Sequence, residues 1–278
     1  METVNKKSVL ISGASIAGLS TAYWMNQSGY KVTIIEIANR PRSGGTPVDV
    51  KDAAVAAAKR MGIFEQIKAN RLTLEKVDYK NADDVTEGSF TLSGHVPEDD
   101  IEIERDKFMA ILLSAVQNEV EFIFNDSITA LNETADGIQA TFKNGGQRSF
   151  DLVFGCDGIH SGVRKIWFGH ETEYSHFLEQ YFSITIVNKL LIPQNSMQLY
   201  NVPGKAIMLN AYNNKTDIVF CFVSEKEIPY HYRDEAQQRK IIQEQFSGES
   251  WRTPELLKAA QESTNFYFDK LCQIRMPS

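Results

Sequence analysis

Apolar positions along the chain fall into three textures. The first is a short unbroken run, Val9-Leu10-Ile11, of the kind found in parallel strands buried on both faces. Apolar residues then recur at helical spacing over 16–27, through Leu19, Ala22, Tyr23 and Trp24, with Gly29 placed to close the helix. "KVTIIE" reads as a β-branched second strand ending at Glu36. Residues 9–36 therefore predict a βαβ unit.

The second texture joins a strand to a helix through a polar junction. "IEIERDKFMAILLSAV" at 101–116 predicts a strand with Arg105 at its end, Asp106 as N-cap, and a helix with Met109, Leu112, Leu113 and Val116 on one face. "DLVFGCDGIHSGVRKIW" at 151–167 predicts a buried strand over 151–154, a turn at Cys156-Asp157-Gly158, and a helix that starts at Ser161 and carries Arg164. The third texture is alternating and aromatic-rich: a hairpin near 74–93, then "YFSITIVNKLL", "MQLYNVPGKAIMLNAY" and "TDIVFCFVSE", with helices over about 234–246 and 254–262 before a last strand in "FYFDKLCQIRMP". Strands without intervening helices predict an antiparallel sheet. Tyr200, Tyr212, Phe220 and Phe222 are candidates to line a pocket in it, although core is the commoner place for aromatics in a sheet.

Composition narrows the function. With 278 residues, 42% apolar and 23% charged, the chain has material for one large domain or two modest ones. A net charge of -7 works against nucleic-acid or anionic-membrane partners and favours small molecules. Cys156, Cys221 and Cys272 lie far apart with no CxxC spacing, which suggests neither a disulfide framework nor a thiolate zinc site and fits a reducing cytoplasm. The five histidines form no metal helix. The opening "METVNKKSVLISG" reads as a polar lead into a strand rather than a signal peptide. No apolar run approaches the roughly 18 to 20 residues of a membrane span.

The βαβ unit carries the first candidate chemistry. Gly13 permits a tight turn, Ser15 stands where a dinucleotide fingerprint has its middle glycine, and Gly18 lets helix and strand pack closely, with Ile16 and Ala17 between them. A carboxylate at Glu36 is placed to accept ribose hydroxyls and argues against NADP in this pocket. Further candidates are Arg42 beside two glycines in "RPRSGGTPVDV", Asp49 in the same segment, Arg105 at its strand end, and Asp157-Gly158. On these residues alone an NAD-dependent dehydrogenase and a non-catalytic binding module stay open beside a flavoenzyme.

A glycine-rich start, an arginine before an apolar helix and "DGIHSGVR", in this order, resemble the class A FAD-dependent aromatic hydroxylases. That group includes para-hydroxybenzoate hydroxylase and the tetracycline-inactivating monooxygenases. The resemblance implies a Rossmann-like FAD-binding domain with a parallel sheet (1–72 and 98–172) and a substrate domain with an antiparallel sheet (73–97 and 173–278). It implies that Gly13, Ser15 and Gly18 meet the FAD pyrophosphate and Glu36 the adenosine ribose, while Arg42, Asp49 and Arg105 serve the flavin half. Asp157 and Gly158 match a second signature tied to FAD and NAD(P)H; a carboxylate cannot itself hold phosphate, so Asp157 is expected to order the turn or accept a hydrogen bond. The implied reaction uses NADH or NADPH to reduce FAD, adds O2 at flavin C4a, and passes one oxygen from the hydroperoxide to an aromatic small molecule. Members of the family continue with a glycine-aspartate segment and a long helix that this sequence does not contain, so the resemblance covers a shortened form.

Overall fold

The computed structural model describes residues 6–41, 44–92, 97 and 99–276. The chain begins with β1 (Ser8–Ser12), α1 (Ile16–Gln27), β2 (Lys31–Glu36), β3 (Val48–Val50), α2 (Ala53–Arg60) and α3 (Phe64–Ala69). A hairpin of β4 (Lys76–Lys80) and β5 (Thr86–Thr91) leads to β6 (Ile101–Ile103), α4 (Arg105–Val116) and β7 (Glu121–Phe124). Then come β8 (Ile128–Thr134), β9 (Gly137–Phe142), β10 (Gln147–Phe150), β11 (Leu152–Gly155) and α5 (Gly162–Phe168). The last part holds β12 (Ser175–Val187), β13 (Ser196–Val202), β14 (Lys205–Tyr212), β15 (Lys215–Val223), α6 (Glu235–Phe246), α7 (Thr253–Glu262) and β16 (Phe266–Ile274).

Two packed layers result. In the first, β11, β1, β2 and β7 form a parallel sheet in that order. Val9 and Ile11 of β1 and Val32 and Ile34 of β2 pack with α1 to α4, while Leu10 and Ile35 point the other way onto the small antiparallel sheet of β8 to β10. Burial on both faces explains why these strands read as continuous apolar runs. The second layer is a seven-stranded sheet, β16-β12-β15-β14-β13-β4-β5. On one face Phe220, Phe222, Ile207 and Leu209 pack under α6 and α7. The other face carries Ile184, Ile186 and Val219 with Phe182, Met208 and Cys221 against them.

The expected mixed α/β architecture, a parallel sheet beside an antiparallel one, is the one observed. Three local expectations change. The strand at the second signature is not buried: β11 is the edge strand of its sheet among the described residues, and Leu152 and Phe154 are exposed. Asp106 is not the N-cap of α4; the helix begins at Arg105 after Glu104, and Asp106 lies in its first turn. The large sheet contains one parallel pair, β13 with β4, because the early hairpin enters from a distant part of the sequence. Tyr200, Phe220 and Phe222 are core, the commoner place for aromatics in a sheet, whereas Tyr212 lies on the opposite face and lines a cavity.

Candidate cofactor site

The turn between β1 and α1 is built for close approach. Gly13 has φ +102°, in the left-handed region, and a Cβ there would stand 2.5 Å from the Cys156 carbonyl oxygen. A Cβ on Gly18 would stand 1.8 Å from the Gly13 carbonyl oxygen, so the first turn of α1 sits directly on the strand end. Ser15 precedes the helix in extended conformation and does not cap it; its hydroxyl donates to the Cys156 carbonyl instead (3.3 Å). Ile16 and Ala17 open the helix, and Ala17 is exposed. With no side-chain cap and no acidic residue in its first turn, α1 presents its positive end for an anion.

Glu36 lies beside this turn at the end of β2 and is 8% exposed. Its Oε2 accepts from the Ala14 N–H (2.8 Å) and its Oε1 from the Ala38 N–H (2.9 Å). Two backbone donors fix the carboxylate, and each oxygen keeps a further lone pair for a hydroxyl. The second signature packs against the same turn without aiming its acid at it. Asp157 accepts from the Ser161 hydroxyl (2.5 Å), from the N–H groups of Gly162 (2.8 Å) and Val163 (3.1 Å), and weakly from the Ser12 hydroxyl (3.4 Å). It is an organiser of the α5 start, and Ser161 completes the cap by accepting from the Arg164 N–H (3.0 Å). Gly158 is exposed with φ +87°.

The residues expected at the flavin half are more scattered. Arg42 lies outside the described residues. Asp49 is on β3, exposed, paired with Lys51 (3.2 Å) and opposite Glu102 of β6. Arg105 sits where the two layers meet: its Nη1 donates to the Gly44 carbonyl (3.1 Å), and the Gly44 N–H donates to Asp106 Oδ1 (2.7 Å). A cavity of about 150 Å³ opens there, with Gly45, Arg105 and Asp106 on one side and Ile186, Tyr212 and Lys215 of the large sheet on the other.

Three groups, one lining this cavity and two beyond it, were not foreseen from the sequence. Glu104, nearly buried, bridges the layers by accepting from Lys215 Nζ (2.6 Å) and Asn213 Nδ2 (2.5 Å). Burial works to raise its carboxyl, but those two donors outweigh it and hold the group below the usual range. Asp217 is fully buried on β15, and its Oδ1 accepts from the Tyr212 hydroxyl (2.8 Å). Burial pushes the Asp217 carboxyl up to about 7 and the Tyr212 phenol well above its usual range. A lone acid inside the apolar "TDIVFCFV" was the one signal available. Further along the seam, His160 of the second-signature loop contacts Asp269 (3.3 Å) and Glu171 (3.0 Å). The Asp269 hydrogen bond, reinforced by Glu171, raises the His160 imidazole in spite of burial.

A glycine turn under an uncapped helix start, with an acid at the end of the second strand beside it, has the make-up of a dinucleotide-binding site. Comparison with known proteins fixes the family. A family model described as FAD binding domain matches residues 6–266, and the chain belongs to that family. It is 33% identical over 276 residues to an uncharacterized protein of Mycobacterium tuberculosis, spanning 97% of this chain and 74% of that one. It is 30% identical over 278 residues to a flavin-dependent monooxygenase of an unknown prokaryotic organism, spanning 97% and 71%. Among solved structures, tetracycline destructase Tet(51) superposes with a TM-score of 0.87 at 28% identity, over 98% of this chain and 71% of that one. The chain is thus an FAD-dependent monooxygenase, an oxidoreductase acting on a small molecule with O2. No helix among the described residues is long and apolar enough to cross a membrane.

Proposed function

We propose that this monooxygenase takes its electrons from NADH or NADPH and hydroxylates an aromatic or polycyclic small molecule lying over the free face of the large sheet. The observation that carries the reading is that face itself. Phe182, Ile184, Ile186, Met208, Val219 and Cys221 form an apolar floor whose end, at Ile186, meets Arg105 and Gly45 across the cavity. An apolar floor with a few polar groups at one end is the usual make-up of a small-molecule pocket.

In this reading the segments 1–72 and 98–172 form the FAD-binding part, and 73–97 with 173–278 the substrate part. The α1 start with Gly13, Ser15 and Gly18 would hold the pyrophosphate, and Glu36 the adenosine ribose, each through groups whose geometry fits that partner. Arg105 and the Gly44–Gly45 backbone would meet the ring end. When bound, FAD supplies the redox chemistry that activates O2 for transfer of one oxygen atom. The protein's own share is orientation: Glu104 and Lys215 hold the two layers at a fixed separation, and the apolar floor keeps water from the substrate.

The test is direct. Purified protein should carry flavin absorbance and consume O2 when given NADH or NADPH with a panel of aromatic compounds, yielding a product one oxygen atom heavier. O2 uptake without any oxygenated product across the panel would overturn the substrate reading while leaving the cofactor in place.

A further inference from the structure

Asp217 is an acid in the wrong surroundings for a structural role. It has no exposed surface, it sits on the cavity side of the sheet opposite Ile186 of β12 and Asn210 of β14, and its Oδ2 has no hydrogen-bond partner among the described residues. Its single partner is the Tyr212 hydroxyl, and Tyr212 in turn lines the cavity. An ionised carboxylate with one bare oxygen in such a place is costly, and a neutral carboxyl much less so. The charged groups around it are Lys215 on its own strand, Glu102 on β6, and Glu104, Arg105 and Asp106 across the cavity. Lys215 favours a charge on Asp217, but it is engaged by Glu104 and burial outweighs it.

We propose that Asp217 sets the direction in which Tyr212 hydrogen-bonds toward the cavity. With Asp217 protonated, its O–H donates to the Tyr212 oxygen, and the phenolic hydrogen is free for an acceptor, a carbonyl or ring nitrogen of the cofactor or substrate. With Asp217 ionised, Tyr212 donates to it and offers the cavity lone pairs only. The 2.8 Å separation fits either direction. Tyr212 is the contact group and Asp217 a positioning residue behind it. Burial, which pushes the acid up to about 7, puts the change of state near neutral pH. The inference rests on the reading of the cavity as the ring end of the cofactor site.

Two measurements on the purified chain test it. Without ligand, infrared spectra should show a buried carboxylic-acid band at about pH 6 that fades toward about pH 8 and is missing in Asp217→Asn. FAD affinity, read by quenching of flavin fluorescence, should fall about three- to ten-fold over the same interval, the worth of one neutral hydrogen bond. In Asp217→Asn the affinity should be flat with pH, and Tyr212→Phe should be flat at the weaker level. Absence of the Asp217 band at about pH 6, or a pH step that survives in either variant, would overturn the proposal. FAD uptake that is flat with pH in the native chain would overturn the coupling alone. A native chain that shows the band and takes up no FAD at either pH would overturn the coupling and the cofactor reading together.

Discussion

Gly18→Ala should abolish tight FAD binding by displacing one helix. The added Cβ would lie 1.8 Å from the Gly13 carbonyl oxygen and 3.0 Å from the Gly13 carbonyl carbon, with Ile11 Cγ2 at 3.5 Å behind them. Real Cβ atoms essentially never come within 3.0 Å of such a neighbour, so α1 must withdraw by about 1.2 Å, against a backbone atom that cannot rotate away. Overpacking of this kind costs about 1 to 3 kcal/mol, and more where no side chain can yield. The same shift carries the first-turn N–H groups out of reach of an anion, and losing one charge-assisted bond, about 1.5 to 3 kcal/mol, weakens binding about 10- to 100-fold. Gly248→Ala is the matched control, since a Cβ there meets nothing within 4 Å. Both variants should be compared by urea denaturation and by FAD titration. A Gly18→Ala protein that denatures with the control and binds FAD within two-fold of it would refute the cradle.

Glu36→Ala should weaken FAD by about 1 to 3 kcal/mol in calorimetric titration, because it strips a ribose of its acceptor and leaves the Ala14 N–H unpaired; unchanged affinity would put the ribose elsewhere. Asp157→Ala should destabilise the fold by about 1 to 2 kcal/mol through loss of the α5 cap, while Gly158→Ala tests the exposed turn separately; an unaltered denaturation midpoint for Asp157→Ala would contradict the capping role. Asp217 binds its proton more tightly in the folded chain than in the unfolded one, so its contribution to native stability should fall as pH rises from about 4 to about 7, by up to about 4 kcal/mol, and the difference between native protein and Asp217→Asn in urea titrations should follow that slope. His160 also holds its proton more tightly when folded; its contribution is present below about pH 6.5 and should vanish as pH rises through its raised value, a loss absent in His160→Gln.

What could be read along the chain was what is local. The βαβ unit, the hairpin near 74–93, and helices α6 and α7 show in the spacing of apolar residues because each is closed by contacts within a few turns or one strand pair. Gly13, Gly18 and Glu36 were legible for the same reason, since one short stretch brings all three together. The exposure of β11 was not, because a strand's place in its sheet is decided by its neighbours and not by its own residues. The seam was the least legible part. Glu104 finds Lys215, and His160 finds Asp269, across more than a hundred residues, and neither pairing leaves a periodic trace. Asp106 shows the limit of capping rules: a good N-cap residue was drawn into the first turn, where its carboxylate serves the Gly44 N–H.

The parallel pairing of β13 with β4, Ser196 against Lys76, bears on how this enzyme can be re-engineered. Exchanging residues 175–274 with those of a relative would import five strands of the sheet and leave β4 and β5 behind, so the foreign β13 would dock on a native edge it was never selected to match. If the sheet is the substrate part, as proposed, a graft meant to alter substrate choice has to travel as two pieces, the hairpin over 76–91 together with the later strands. The boundary of inheritance for specificity then runs along strand pairings in space and cuts the polypeptide more than once.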